Sequence, residues 1–169
     1  MTVSDTHGND GLGRLLAHVA AFEPIRVAVV HPCDAPSLSG ALDARRNGLI
    51  DPILVGPRAR IEAVAAQEGF DLSGLVIEDA PHSHAAAARA VELARSGKVE
   101  ALMKGSLHTD ELMSAVVARE AGLRTKRRVS HCYVMQTPHY PRPFIVTDAA
   151  INLAPDLLQN ADIVQNAID

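Results

Sequence analysis

The sequence predicts an α/β fold, a three-layer α/β/α sandwich around a mostly parallel sheet. Short apolar runs alternate with longer segments rich in Ala, Leu, Glu and Arg between residues 25 and 120. The short runs are mostly apolar, as expected of parallel strands that are buried on both faces. Gly or Pro closes most of the segments. This alternation places helices on both faces of one sheet, joined by right-handed crossovers.

The elements of the predicted sheet follow one another in order, after an amphipathic helix over Leu12–Phe22. Apolar and β-branched runs predict strands at Ile25–Val30, Asp51–Val55, Leu75–Ile77 and Val99–Met103. Good helix formers, several of them followed by a terminating glycine, predict helices at Ser37–Asn47, Arg58–Glu68, His84–Ser96 and Asp110–Glu120.

The character of the sequence changes beyond Gly122. Two strand-like runs, Val129–Met135 and Phe144–Thr147, flank a proline-rich loop and predict a hairpin-like return. An amphipathic helix over Leu157–Ile168 follows and ends without a capping signal. We therefore divide the chain into a polar arm with a short helix (1–20), an α/β domain (21–127), and an incomplete start of a second α/β domain or of the crossover to it (128–169).

Composition excludes several classes of function. The net charge is −4 with acids and bases interspersed, and aromatic residues are few, so we expect neither nucleic acid nor a membrane as a partner. The longest apolar runs have the length of strands, and the polar start lacks signal-peptide features, so a cytoplasmic location is expected. Cys33 and Cys132 lack metal-ligand spacing and are expected to be reduced thiols.

A histidine pair, His82 and His84, has the spacing of two metal ligands but directly precedes an Ala-rich helix. Capping by His82 or Ser83 is the interpretation that we favour, because no third ligand accompanies the pair. No metal site is predicted.

Loops at the carboxyl ends of parallel strands are where ligands bind in open α/β sheets. The richest of these is Lys104–Thr109, in which a lysine, a glycine and two hydroxyls precede a helix and could cradle a phosphate. Asp110 and Glu111 in the first helical turn oppose a second anion. The alternative is a well-capped turn with a solvated lysine.

Three further positions could carry chemistry. Ser130 and His131 resemble a nucleophile and its base, but neighbours on a regular strand point to opposite faces, so only one can face a cleft. His131 is either a catalytic imidazole or a satisfied strand histidine. Asp148 directly follows a strand and, with Asn152, either holds polar substrate groups or forms an Asx turn.

Consecutive segments of the chain look like blocks of the phosphate acetyl/butyryl transferase family. These are Ala101–Thr109, Gly122–Thr125, Val129–His131 and Thr147–Pro155, with Val29–Asp34 and Pro52–Gly56 resembling the family's first two strands. The likeness extends to the transferase part of bifunctional enoyl-CoA hydratase/phosphate acetyltransferases.

This resemblance implies reversible transfer of an acetyl or short acyl group between coenzyme A and inorganic phosphate. It also implies a two-domain fold similar to isocitrate and isopropylmalate dehydrogenases, a homodimer, and no cofactor besides coenzyme A as a substrate. The implied catalytic residues are Ser130, His131 and Asp148. The implied contacts to phosphate and acyl-CoA are Lys104, Gly105, Ser106, Thr109, Arg124 and Asn152.

Two departures from the family pattern bear on activity. The helix after the glycine turn, Asp110–Ala115, lacks the arginine of the acetyl-specific branch, which leaves the acyl preference open. Family chains also continue well beyond this length, so we expect a truncated chain that is inactive by itself. Two alternatives remain, an enoyl-CoA hydratase and a non-catalytic fragment that binds coenzyme A or phosphate.

Overall fold

A computed structural model describes residues 11–137, 139–140 and 142–169 of the chain. The predicted polar arm over residues 1–10 lies outside this part, as do Pro138 and Pro141 of the predicted proline-rich loop. The described part contains six strands: β1 (Ile25–Val30), β2 (Ile50–Gly56), β3 (Val76–Asp79), β4 (Ala101–Lys104), β5 (Cys132–Met135) and β6 (Phe144–Thr147). Its six helices are α1 (Gly11–Val19), α2 (Ala35–Arg46), α3 (Arg58–Glu68), α4 (Ser83–Arg95), α5 (Thr109–Val116) and α6 (Leu157–Ile168).

The main sheet is parallel throughout and has the strand order β3-β2-β1-β4. The chain therefore steps outward from β1 through β2 to β3, and then crosses back to add β4 on the other side of β1. The helices that follow β1 and β4 pack on opposite faces of the sheet, so the reversal between these two strands is the topological switch point of an open α/β sheet. The predicted α/β class with a mostly parallel sheet is confirmed.

Helices cover both faces of this sheet because the side chains of β1 alternate between them. Val27 and Val29 pack in one buried cluster, which includes Leu38 of α2 and Ile61 of α3. Ala28 and Val30 pack in a second cluster, whose other members include residues of α4 and α5. Layers of helix, sheet and helix follow directly from this alternation.

The histidine pair before α4 has a capping role. His82 is the N-cap of α4, and its Nδ1 accepts a hydrogen bond from the Ala85 amide at 3.2 Å. The capping interpretation is thus confirmed for His82. Across the described ranges, no three His, Cys, Asp or Glu side chains come close enough together to hold a metal ion.

The hairpin predicted after Gly122 is confirmed, since β5 and β6 pair in antiparallel fashion from Cys132 opposite Thr147 to Met135 opposite Phe144. The prediction that β5 starts at Val129 is wrong, because it starts at Cys132. Arg128 and Ser130 bond to α6, since the Asn166 side chain donates to Arg128 O at 2.9 Å and to the Ser130 hydroxyl at 2.8 Å.

The predicted extent of α5 is also wrong, since the helix ends at Val116 rather than at Glu120. The chain folds back there, and the Leu123 amide donates to Val116 O at 2.7 Å. This bond occupies a carbonyl that a longer helix would have used. Likewise α1 ends at Val19, short of the predicted Phe22.

Two compact units make up the described chain, one formed by Phe22–Arg124 and the other by the residues up to Ala21 together with Thr125–Asp169. The first unit holds the parallel sheet, and the second holds α1, the hairpin and α6. The division into domains 1–20, 21–127 and 128–169 stays a prediction. None of the described helices is both long and apolar enough to cross a membrane.

Candidate functional site

The switch point brings the backbones after β1 and β4 into direct contact. The Gly105 amide donates to Val30 O, and the Ser106 amide donates to His31 O, both at 2.9 Å. A Cβ atom on Gly105 would lie 2.5 Å from Val30 O and 2.7 Å from His31 O. The close approach of the two turns therefore requires glycine at position 105.

Ser106 ties the two turns together through its side chain. Its hydroxyl donates to His31 O at 2.8 Å and accepts from the Cys33 amide at 3.1 Å. A hydroxyl has one hydrogen to donate, and in Ser106 that hydrogen is bound within the fold. The predicted contact between Ser106 and phosphate is untested, and this geometry leaves the hydroxyl as an acceptor only.

His31 was not among the residues that the sequence singled out as a site residue. It is 6% exposed and has a φ of 55°, in the left-handed region that non-glycine residues seldom adopt. Its Nδ1 lies 3.0 Å from Ser106 O. A histidine between an apolar strand and a proline gives no local signal of such a role, because its partner is 75 residues away in the chain.

The turn between β4 and α5 carries positive charge beside an open helix end. Lys104 is exposed, and its Nζ lies 3.3 Å from Gly105 O. His108 is the N-cap residue of α5 but makes no side-chain capping bond, and Thr109 is already the first helical residue. The side-chain cap of the alternative interpretation is therefore not found at the start of α5. Asp110 and Glu111 lie in the first turn, as the sequence indicates.

The turn between β1 and α2 carries a thiol and a carboxylate. Burial raises the pKa of the Cys33 thiol, and the negative charge of Asp34 adds to this while Arg60 opposes it. Asp34 caps α2 by accepting from the Ser37 amide at 2.9 Å. The Ser37 hydroxyl is the largest cause that holds the pKa of Asp34 below its ordinary value; the Ser37 amide and Lys104 act in the same direction, and burial opposes them.

We expect the ionisation of Asp34 to make the free energy of unfolding depend on pH in the acid range. Because its folded pKa lies below the unfolded value of about 3.9, its contribution is present above that pH and is lost as pH falls through the folded pKa. Asp34→Asn should keep most of the cap while removing this dependence, and Asp34→Ala should cost about 1 kcal/mol near neutral pH. Urea unfolding at several pH values measures both effects. Equal acid sensitivity of the native chain and Asp34→Asn would contradict the assignment.

Asp148 and Asn152 come together in the second unit as a closed turn. The Asp148 carboxylate accepts from the Ile151 amide at 3.0 Å and from the Asn152 amide at 3.1 Å, and the Asn152 side chain also donates to it. Burial raises the pKa of Asp148, but the hydrogen bonds from the Asn152 side chain and the amides of residues 150–152 outweigh it and leave the pKa below its ordinary value. The Asx-turn alternative thus describes the observed geometry.

Ser130 and His131 precede β5 and do not form a dyad. The Ser130 hydroxyl accepts from the Asn166 side chain at 2.8 Å. Both ring nitrogens of His131 are buried and have no hydrogen-bond partner among the described residues, while the ring packs edge-on against Tyr133 with centroids 3.9 Å apart. His131 is therefore not the satisfied histidine of the alternative interpretation.

The predicted site residues fall into two groups. Lys104, Gly105, Ser106, Thr109 and Arg124 belong to the unit Phe22–Arg124, whereas Ser130, His131, Asp148 and Asn152 belong to the other unit. Within the groups, Gly105 and Ser106 join the β1 turn, and Asp148 joins Asn152. Arg124 is exposed at the end of its unit. Their assignment to catalysis and binding stays a prediction.

Comparison with known proteins gives one family. The family model described as phosphate acetyl/butaryl transferase matches residues 82–169, more than half of the chain. That range contains β4, the Lys104–Thr109 turn and the whole segment from Thr125 onward.

Individual relatives agree with this match. The chain is 56% identical to a phosphate acetyltransferase of Rhizobium meliloti, over 92% of this chain and 49% of that protein. It is 36% identical to a phosphate butyryltransferase of Clostridium acetobutylicum, over 91% of this chain and 51% of the relative. A phosphotransacetylase structure from Streptococcus pyogenes shares the fold with a TM-score of 0.72 at 14% identity, covering 89% of this chain and 56% of that one. The chain thus spans about half the length of these relatives.

Proposed function

This chain belongs to the phosphate acetyl/butyryl transferase family, and from that premise we propose that it contributes to transfer of an acetyl or other short acyl group between coenzyme A and inorganic phosphate. The observation that carries the proposal is the turn at the switch point, which lies within the matched range and joins an exposed lysine to an uncapped helix N-terminus. We assign the phosphate side of the reaction to this turn.

The turn has the chemistry that a phosphate requires. Lys104 supplies a full positive charge, and the first amides of α5 supply donors that no side chain caps. Gly105 lets the backbone approach closely without a side chain in the way. Asp110 and Glu111 limit the net positive potential, which favours a site that releases phosphate readily rather than one that stores it.

The reaction itself is an acyl transfer without redox change. A phosphate oxygen attacks the thioester carbonyl, a carbon–oxygen bond forms, and the carbon–sulfur bond breaks as the thiolate leaves and takes up a proton. The tetrahedral intermediate carries an oxyanion that needs hydrogen-bond donors. Ser130, His131 and Asp148 are our proposed catalytic residues, and the unpartnered ring nitrogens of His131 support a role in proton transfer. The Asp148 carboxylate already accepts hydrogen bonds within its turn, so its catalytic assignment rests on the resemblance alone.

Several finer features are proposed on the resemblance alone. These are the isocitrate and isopropylmalate dehydrogenase-like class, the homodimer, the cytoplasmic location and the lack of any cofactor besides coenzyme A as a substrate. We also expect little turnover from residues 1–169 by themselves, because the relatives named above are about twice as long. The enoyl-CoA hydratase alternative is not supported, since it requires a long central helix wrapped by antiparallel strands, and the main sheet of the described part is parallel.

The test joins residues 1–169 to the remaining half of the Rhizobium meliloti relative and measures thiol release with phosphate and acetyl-, propionyl- or butyryl-CoA. Lys104→Met should raise the KM for phosphate about tenfold or more, as expected when a charged contact is lost. Lys98→Met is the matched control, because Lys98 is also exposed but precedes β4, at the opposite end of the strand.

Three results would contradict the proposal. Absence of phosphate-dependent thiol release with all three thioesters would refute acyl transfer to phosphate. Equal effects of the two lysine variants on the KM for phosphate would show that phosphate does not bind at the switch point. Phosphate binding without turnover in the joined protein would favour the non-catalytic binding fragment.

A further inference from the structure

We propose that His31 is a positioning residue that orients the Ser106–Leu107 peptide, so that the Leu107 N–H is held as a hydrogen-bond donor for an oxygen of inorganic phosphate. This inference rests on the proposed function, since it assigns one more donor to the same turn. It gives specific roles to His31 and Leu107, to which the sequence assigned none.

The His31 ring has a defined tautomer in this geometry. Its Nδ1 lies 3.0 Å from Ser106 O, and because a carbonyl oxygen can only accept, the proton is on Nδ1. The His31 carbonyl is held in turn by the Ser106 amide at 2.9 Å and the Ser106 hydroxyl at 2.8 Å. The residue is buried and its backbone lies in the left-handed region. Burial and the hydrogen bond to Ser106 O hold the ring, while the two bonds from Ser106 hold the carbonyl.

The orientation of one carbonyl determines that of the next amide. In a planar trans peptide the C=O of Ser106 and the N–H of Leu107 point in opposite directions. Since Ser106 O faces the His31 ring, the Leu107 N–H is directed away from it. The Leu107 side chain is buried in the cluster under α4 and α5, which fixes the other end of this peptide.

The Leu107 N–H has no hydrogen-bond acceptor within the described part of the chain. Amides that the fold leaves unpaired beside a helix N-terminus are available to an anion. The amide lies between Lys104 and the open N-terminus of α5, where we have placed phosphate, and a phosphate oxygen is the acceptor that this position would meet.

Two substitutions separate the hydrogen bond from the bulk of the side chain. Asparagine places its amide nitrogen about where histidine has Nδ1, and it tolerates a left-handed backbone, so His31→Asn keeps the donor. His31→Leu keeps comparable volume and removes the donor. Urea unfolding of both variants reports how much of any effect comes from stability alone.

The experiment titrates inorganic phosphate into the 15N-labelled full chain and follows its amide resonances by NMR. We expect the Leu107 resonance to shift downfield and to saturate together with those of Lys104 and Gly105. His31→Leu should weaken phosphate binding about tenfold and abolish the Leu107 shift, whereas His31→Asn should stay within about twofold of the native affinity.

The outcomes separate this inference from the function on which it rests. Shifts at Lys104 and Gly105 with a stationary Leu107 resonance would overturn the inference and leave the phosphate site standing. The inference is likewise overturned if both variants bind phosphate as the native chain does. No saturable shift at any residue of the turn would overturn both proposals. The native chain alone decides between these results should His31→Leu fail to fold.

Discussion

Gly105→Ala is expected to destabilise the unit Phe22–Arg124 by about 3 kcal/mol, because its Cβ would enter the space of two backbone carbonyls. The new carbon would lie 2.5 Å from Val30 O and 2.7 Å from His31 O. Neither oxygen can move aside without breaking the pairing between β1 and its neighbours. The two turns at the switch point would separate, and the hydrogen bonds of Ser106 to the β1 turn would be lost with them.

Gly40→Ala is the matched control for this change. Gly40 lies within α2, and a Cβ there would meet only Met103 Cε at 3.8 Å, which is an ordinary contact. We expect it to stabilise the chain by roughly 0.5–1 kcal/mol, since alanine is the better helix former. Urea unfolding followed by far-UV circular dichroism measures both variants. A native free energy of unfolding for Gly105→Ala would show that the turns do not approach as closely as described.

Leu54→Ala should have an effect of similar size at the centre of the sheet. Leu54 is fully buried in β2, between Val29 of β1 and Ile77 of β3. Truncation leaves a cavity that strands paired on both sides cannot close, so we expect a loss of about 2–5 kcal/mol in the free energy of unfolding.

Leu54→Met tests whether this loss comes from the cavity. The substitution nearly conserves volume, and we expect it to cost less than about 1.5 kcal/mol. Both variants are compared with the native chain by the same urea unfolding measurement. Equal losses for alanine and methionine would mean that the shape of leucine, rather than the filling of the core, governs stability at this position.

The parallel sheet could be predicted from the sequence because its evidence is local. Runs such as Ile25–Val30 are apolar except for Arg26 and lie between Pro24 and Pro32, which favours a buried parallel strand. The strand order could not be predicted in the same way. Placing β4 beside β1 depends on which apolar surfaces meet in three dimensions, and no spacing along the chain encodes it.

The site shows the same division between local and distant causes. Lys104, Gly105 and Ser106 could be predicted as site residues because a lysine, a glycine and a serine suit a strand-end turn that binds an anion. The structure places them at the switch point. The role of His31 could not be predicted, because its left-handed backbone and its bond to Ser106 exist only once β1 and β4 are neighbours. Ser130 was predicted on a strand because Val129–Met135 is β-prone, whereas its hydroxyl and the neighbouring Arg128 carbonyl bond to Asn166 of α6. His131 lies just outside the ladder, where its carbonyl accepts from the Asp148 amide and the Thr147 hydroxyl.

The first helix has a consequence for the order in which the chain folds during synthesis. Gly11, at the start of α1, is buried so closely against Pro143 and Gln136 that a Cβ would come within 3 Å of both. The ribosome makes these partners more than a hundred residues after Gly11. The parallel sheet has all its strands long before then, so α1 is made before the sheet but can be seated only after it. A nascent chain halted near Arg124 should therefore carry a folded sheet and an apolar helix that chaperones can bind.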